Sequence, residues 1–268
     1  MTRVEIIAVG REILRGQTLD TNSSWLAKRI TALGGVIGRI VIPDDDVAAI
    51  AQEIKTSLQN KTRVIITTGG LGPTFDDKTL AGIAEATARP LSLHPRALEI
   101  VTRRYKELWQ QGFVEQPEIT PAREKMAYLP KGAEALDNPV GTAPAVSLTG
   151  PEWVIFALPG VPREMRAIFE QTVFPSLKEI LGAEFYQEET VNTGLGDESV
   201  IAGMIDQVMR EVPGVYLKSK ATGFGRDVGL EVIITAAGAD KEGIKNKVKE
   251  AKRLLLALIK ARPTRTGG

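Results

Sequence analysis

Along the first third of the chain, apolar positions fall into blocks with two different periods. Val4–Val9 is a short apolar run closed by Gly10, which predicts a buried strand. Trp25, Leu26, Ile30 and Leu33 then recur at helical spacing, from a start near Thr21/Asn22 to a stop at Gly34. Val36–Ile42 is rich in β-branched residues and ends at Pro43-Asp44-Asp45-Asp46. Val47, Ile50, Ile54 and Leu58 repeat as a helix does. Val64–Thr67 is again continuous and apolar, followed by a glycine turn and a helix through Leu80, Ile83 and Ala84. Strands alternating with helices predict a mostly parallel sheet covered on both faces. Ligands of such sheets bind beyond the carboxyl ends of the strands. Gly10–Asn22, Asp44–Asp46 and Thr68–Asp77 all fall there, so one shared site is expected.

Further along, Leu98, Val101, Tyr105 and Leu108 share a face of a helix over Pro95–Gln111. Ala145–Leu148 and Trp153–Ala157 read as strands. Pro162 opens a helix that Pro175 is expected to kink or end. Beyond Ile180 the texture changes: a strand over Glu188–Asn192, a helix over Glu198–Arg210, a long strand over Val228–Ala236 and a final helix over Asp240–Ile259. A boundary near 175–185 therefore predicts an α/β domain over 1–175 and a smaller α+β domain over 182–262.

Composition narrows the chemistry. The 34 Lys plus Arg nearly balance 33 Asp plus Glu, so no global basic surface exists for nucleic acid. With no cysteine, disulfides, thiolate catalysis and cysteine-ligated zinc are excluded. His94 is the single histidine, so a two-histidine metal site cannot form within one chain. What remains is carboxylates, hydroxyls, backbone amides, Lys/Arg and a hard cation that prefers oxygen. No run approaches the roughly 18–20 apolar residues of a membrane span, and the charged start has no signal-peptide pattern, so a cytoplasmic protein is expected.

The sharpest motif is Thr67-Thr68-Gly69-Gly70-Leu71-Gly72-Pro73-Thr74-Phe75-Asp76-Asp77-Lys78-Thr79. Glycines after a buried strand let backbone amides approach an anion, and the following helix adds its positive end. A side chain at Gly70 is expected to stand where a phosphate approaches. Adjacent aspartates repel phosphate unless they hold a cation or a sugar hydroxyl. The plainer reading is a tight turn with Asp76 or Asp77 as helix cap. No Gly-Lys-Ser/Thr follows, so this is not a Walker A loop, and it is not a Rossmann fingerprint. Asp44-Asp45-Asp46 could likewise only cap a helix. Gly141-Thr142 offers an amide and a hydroxyl suited to phosphate, or simply a bend. Gly160, in the rigid Pro159-Gly160-Val161-Pro162 run, stands before a further helix start.

The glycine and Asp-Asp-Lys-Thr stretch resembles the signature of the molybdopterin-binding domain of molybdenum-cofactor biosynthesis proteins, the MoaB/Mog-like class. The whole chain more closely resembles the CinA (competence/damage-inducible) N-terminal family. Four further blocks carry that likeness: Gly10-Arg11-Glu12-Ile13-Leu14-Arg15-Gly16 with Asp20-Thr21-Asn22; Asp44-Asp45; Asn138-Pro139-Val140-Gly141-Thr142-Ala143-Pro144; and Leu158-Pro159-Gly160-Val161-Pro162-Arg163-Glu164-Met165. The likeness implies a three-layer α/β fold, a KH-like C-terminal module, and a homodimer. It also implies hydrolysis of ADP-ribose-type pyrophosphates with a divalent cation; related domains handle pterin or flavin nucleotides. By position it carries Asp44 and Asp77 as the acidic pair, with Glu12, Asn22, Gly69, Gly70 and Gly72 lining the site. Ala145 departs from an expected glycine, Arg11 and Arg15 replace residues that are often small or apolar, and the amidohydrolase domain of full-length CinA proteins is not expected.

The leading expectation is thus a metal-dependent hydrolase of a nucleoside-diphosphate-linked substrate. Gly69–Gly72 with Thr68, Gly141, Thr142 and Gly160 would hold phosphate. Asp77 with Asp44 or Asp45 would bind Mg²⁺ or Mn²⁺, and the metal would polarise phosphate and activate water. Glu12 would serve as general base or second ligand, and Asn22 and Thr21 would fix sugar or base. The rival is a pterin- or nucleotide-binding protein that uses the same pocket without hydrolysis. Nucleic acid is the less favoured partner. The basic Asp240–Gly268 segment lacks aromatic neighbours, and Gly223-Phe224-Gly225 is no Gly-x-x-Gly loop. Lys218 and Lys220 are read as flanking a glycine-rich turn and as a further phosphate clamp.

Overall fold

The computed structural model describes residues 2–182, 185–222 and 229–262. The chain divides into two compact units, Met1–Thr31 with Gly35–Leu177 and Ala32–Gly34 with Lys178–Gly268.

The first unit runs β1 (Arg3–Ala8), α1 (Arg11–Leu14), α2 (Thr21–Ala32), β2 (Val36–Val41), α3 (Val47–Gln59), β3 (Val64–Thr68), α4 (Thr79–Ala86), β4 (Leu91–Leu93), α5 (Pro95–Gln110), α6 (Pro121–Lys125), β5 (Tyr128–Pro130), β6 (Glu134–Leu136), β7 (Ala145–Thr149), β8 (Val154–Leu158) and α7 (Pro162–Ile168). Six strands form one sheet in the order β2-β1-β3-β8-β7-β6. β2, β1, β3 and β8 are mutually parallel, while β7 and β6 return antiparallel. The α/β class and the mostly parallel sheet match expectation. β3 and β8 are buried along their whole length, because helices cover both faces. Ile7, Ile65 and Ile155 pack in one core cluster with Ile50 and Ile54 of α3, Ile83 of α4 and Val101 of α5. Ile6, Ile66 and Phe156 alternate to the other face, and α2 and α7 bring the buried Leu26, Ile30, Met165 and Ile168. Trp25 meets Phe169 edge-on at 5.2 Å between ring centroids.

Two local details differ from the reading of the chain, and a third, in β1, adds to it. Asp20, rather than Thr21 or Asn22, caps α2: its carboxylate accepts from the Ser23 amide at 2.9 Å, which frees the Asn22 side chain for other work. Pro175 does not end the helix that begins at Pro162. A π-helical turn, Phe169–Val173, absorbs the misfit and α8 (Phe174–Leu181) continues. β1 carries one buried charge, Glu5, at 1% exposure. Ser57 and Thr62 donate hydroxyls to it, and Arg3 and Arg39 donate guanidinium N–H groups. Burial pushes its carboxyl up, but these four donors together outweigh burial and hold it below the ordinary value.

The second unit contains β9 (Phe185–Asn192), α9 (Glu198–Glu211), β10 (Tyr216–Thr222), β11 (Gly229–Gly238) and α10 (Lys241–Lys260). Its sheet is antiparallel in the order β10-β11-β9. Leu217, Val232, Val191, Ile205 and Val248 share a core with the two helices. Lys218 and Lys220 therefore stand on the exposed side of a regular strand, because Leu217 takes the buried side and the period is two. Gly223-Phe224-Gly225 and Val228 lie outside the described residues. No helix among the described residues is long and apolar enough to cross a membrane.

Candidate functional site

Beyond the carboxyl ends of β1, β3 and β8 lies a cleft of about 450 Å³, within the range of small-molecule sites. Thr68, Gly69, Gly70, Gly72, Asn22, Glu12, Asp45, Asp77, Thr142 and Gly160 all line it. Asp44 and Gly141, also expected there, do not. Asp44 turns away because Arg11 Nε donates to its Oδ1 at 2.6 Å, and the Asp45 amide donates to the same oxygen. This ion pair holds the Asp44 carboxyl below its ordinary range. Gly141 lies behind the lining, where its carbonyl accepts from Arg104 Nε at 2.8 Å.

The glycine loop is fixed from within. Gly69 and Gly70 have φ of 99° and 67°, the left-handed region that favours glycine. The Gly69 amide donates to the Leu158 carbonyl, and Thr79 Oγ1 donates to the Gly69 carbonyl at 2.7 Å. A Cβ on Gly70 would strike that Thr79 hydroxyl, and one on Gly72 would come within 2.7 Å of Asp77 Oδ2. The side chain expected at Gly70 to block a phosphate would instead collide with the protein. The next three amides are different. Those of Gly70, Leu71 and Gly72 donate to no acceptor among the described residues, although all three residues line the cleft.

The acidic turn that follows is held by Thr74. Its hydroxyl, with one proton to give, lies within hydrogen-bond reach of both Asp76 Oδ1 and Asp77 Oδ2, and its amide donates to Asp77 Oδ2 at 2.8 Å. Neither aspartate caps α4, whose N-cap position is Lys78 with no side-chain bond. The Thr74 hydroxyl is the first cause of the lowered Asp76 carboxyl. Lys125 of α6 donates to the Thr74 carbonyl; burial lowers its ammonium, against the opposing pull of Asp77 and Asp76. In the Asp44–Asp46 run each residue has a separate task. Asp44 binds Arg11, Asp45 Oδ2 accepts from the Arg11 amide at 3.0 Å, and Asp46 caps α3 through Ala48 and Ala49. Asp44, Asp45 and Asp46 are thus each engaged by a different partner. No group of three His, Cys, Asp or Glu placed to hold a metal exists among the described residues.

Asn22, from the first turn of α2, is buried at the cleft floor. Its Nδ2 donates to Thr68 Oγ1 at 3.1 Å and to the Gly160 carbonyl at 2.8 Å, tying α2 to the ends of β3 and β8. Its Oδ1 accepts nothing among the described residues. Behind the lining residues Ala143 and Glu164, to which it is bonded, Asn138 is fully buried. Its Oδ1 accepts from the Val140 and Gly141 amides at 3.1 and 2.7 Å. Its Nδ2 donates to the Ala143 carbonyl and to Glu164 Oε2, each at 2.8 Å. Arg104 of α5 grips the same turn from outside, donating to the Val140 and Gly141 carbonyls.

Among the described residues, the cleft lining includes six carboxylates (Glu12, Asp20, Asp45, Asp76, Asp77 and Glu164) and no Lys or Arg. Among these, sequence reading did not single out Asp20 or Glu164, although both stood inside quoted motif blocks. Glu164 had a signal: an acid in the first turn of a helix opened by Pro162 at a strand end.

The profile of the family described as "Probable molybdopterin binding domain" matches residues 5–179. A protein of Aeropyrum pernix is 44% identical over 221 residues, covering 82% of this chain and 80% of its own length. A protein of Pyrococcus furiosus is 38% identical over 245 residues, covering 91% and 94%. A solved structure, the protein CinA with unknown function from Thermoplasma acidophilum, is similar at TM-score 0.59 and 30% identity. It covers 67% of this chain and 99% of that one.

Proposed function

The chain belongs to the molybdopterin-binding domain family, and from that membership we propose that its cleft binds a phosphorylated small molecule of pterin or nucleotide type. Three successive amides without acceptors among the described residues, at Gly70, Leu71 and Gly72, carry this reading. Unpaired backbone donors at a strand end are costly unless water or a ligand accepts from them, and a phosphate oxygen suits all three. Thr142 adds a hydroxyl to the lining. The carboxylate-rich remainder favours a ligand whose other end presents N–H and O–H donors, as a pteridine or purine ring and a polyol do.

A lining without basic side chains among the described residues also suits a hard cation that enters with the phosphate rather than one held by protein alone. Asp77 Oδ1 and Asp45 Oδ1, which accept no hydrogen bond from the described residues, are the oxygens that would hold it. Bound there, Mg²⁺ or Mn²⁺ would offset phosphate charge. The chain's own part is to bind and orient: the amides fix phosphate, Asn22 closes the floor, and the carboxylates accept from the ring and polyol.

Calorimetric titration of the full chain with 6-hydroxymethylpterin monophosphate, FAD and ADP-ribose, with and without Mg²⁺, tests this reading. Saturable binding that pyrophosphate competes away is expected. No binding by any of the three would refute it. Catalytic release of AMP from ADP-ribose with Mn²⁺ would move the function to the hydrolase that the CinA resemblance implies.

A further inference from the structure

Among the six carboxylates of the cleft, Glu164 is held differently from the rest. One oxygen each of Asp76 and Asp77 is engaged by the exposed turn that carries them, Asp45 accepts from the Arg11 amide, and Asp20 caps α2. Glu12 is exposed and accepts from no group among the described residues. Glu164 alone is half-buried with one oxygen anchored to a fully buried side chain, Asn138. Asn138 can take only one orientation, because its oxygen faces two amides and its nitrogen faces a carbonyl and a carboxylate. The anchor is itself fixed by Arg104, which holds the carbonyls of the turn whose amides Asn138 holds. Gly141 completes the seat: a Cβ there would overlap Glu164 Oε2, so the carboxylate lies flat against the glycine. Glu164 Oε1 accepts no hydrogen bond among the described residues, and the residue lines the cleft.

We propose that Glu164 selects the ligand's heterocycle by accepting from a ring edge that presents an amino group beside a ring N–H. That edge belongs to a 2-amino-4-oxo pteridine and equally to guanine. The inference rests on the proposed ligand-binding role of the cleft and names the ring that role would use. A carboxylate is acceptor-only, so it rewards a donor pair and penalises a ring that turns a carbonyl or a bare carbon toward it. A pre-oriented carboxylate discriminates better than a mobile one, because no side-chain freedom is lost on binding. Asn138 and Arg104 are positioning residues, acting through Glu164 and the turn.

The test uses two matched pairs on the full chain: 6-hydroxymethylpterin monophosphate against its 2-deamino analogue, and GMP against IMP. The wild type should prefer the amino member of at least one pair by roughly tenfold or more, as expected for a charge-assisted hydrogen bond. The pair that shows it identifies the ring. Glu164→Gln keeps an oxygen for Asn138 and turns N–H donors toward the ligand, so the preference should vanish or invert. Gly141→Ala leaves the carboxylate intact but displaces it, and should bring the ratio within about twofold of unity. The readout is the ratio within a pair, which a general loss of folding or of phosphate affinity does not move. A preference that survives in both variants, or no preference in the wild type, overturns the proposal and leaves phosphate binding standing. A wild type that binds pyrophosphate but neither ring also overturns this proposal alone. A wild type that binds none of the probes overturns both.

Discussion

Replacing Asn138 by alanine isolates what the buried clamp contributes. The substitution leaves the Val140 and Gly141 amides and the Ala143 carbonyl without their partners, and frees Glu164 Oε2. At roughly 1 kcal/mol for each of the three backbone bonds, the first unit should lose about 3 kcal/mol. That is a large share of the 5–15 kcal/mol typical of a domain, and corresponds to a fall in Tm of about 6–12 °C. All three tryptophans, Trp25, Trp109 and Trp153, lie in the first unit, so indole fluorescence in a urea titration follows that unit. The midpoint should drop with little change in slope. Arg104→Met removes the donors on the other side of the turn and should cost about 1–2 kcal/mol. Because both residues hold Val140 and Gly141, the double variant should lose measurably less than the two losses added. A loss below about 1 kcal/mol for Asn138→Ala would mean that the turn holds its own shape, and the clamp account would fail.

The remaining predictions concern the loop, the buried charge and the acids. Gly70→Ala, at φ 67° with its Cβ against the Thr79 hydroxyl, should destabilise the first unit by about 1–3 kcal/mol; a Tm equal to wild type would show that the loop relaxes freely. Glu5→Gln should cost about 2–4 kcal/mol at neutral pH. Because the folded Glu5 carboxyl is depressed, its stabilisation is fully present above the unfolded carboxylate range and is lost as pH falls through the folded value. The wild-type advantage should therefore shrink on acidification, and an advantage that grows toward low pH would contradict the assigned sign. Asp77→Asn should abolish the Mg²⁺-dependent part of pterin-phosphate affinity, whereas Asp44→Asn should keep it, since Arg11 occupies Asp44. The opposite ranking in titrations at limiting Mg²⁺ would place the cation at Asp44.

What was legible in the chain followed one rule. Polar clusters after apolar runs mark the carboxyl ends of parallel strands, and Gly10, Asn22, Asp45, Thr68–Gly72 and Gly160 met there. The missed features obey rules that leave no local periodicity. Arg104 sits on a helix whose inward stripe is apolar, and its contact is with a turn more than thirty residues away. Glu164 stands two residues after Pro162 and reads as a first-turn acid favouring a helix start; only the buried Asn138 reveals its second role. The three aspartates at 44–46 look alike in sequence and part company only when Arg11 and two helix amides claim them. Lys218 and Lys220, expected to flank a glycine-rich turn as a phosphate clamp, have the spacing of two of a half-exposed strand. β4, β5 and β6 hold three residues each, too few to show a period.

Strand order differs from chain order at β8, which lies between β3 and β7 although it is made after both. Val64 thus waits for Val154 as its partner on that side. During synthesis at about 5–20 residues per second, β3 spends several seconds with an open edge, apolar over Val64–Ile66. Such an edge is a template for pairing with another chain. The nascent protein is therefore most exposed to aggregation after α4 has emerged and before Leu158 has. The cleft is assembled on the same schedule, since Thr142, Gly160 and Glu164 are its last parts to arrive. A ligand that stabilises the first unit can act only on chains that have already passed this interval, so protection during it falls to chaperones rather than to the ligand.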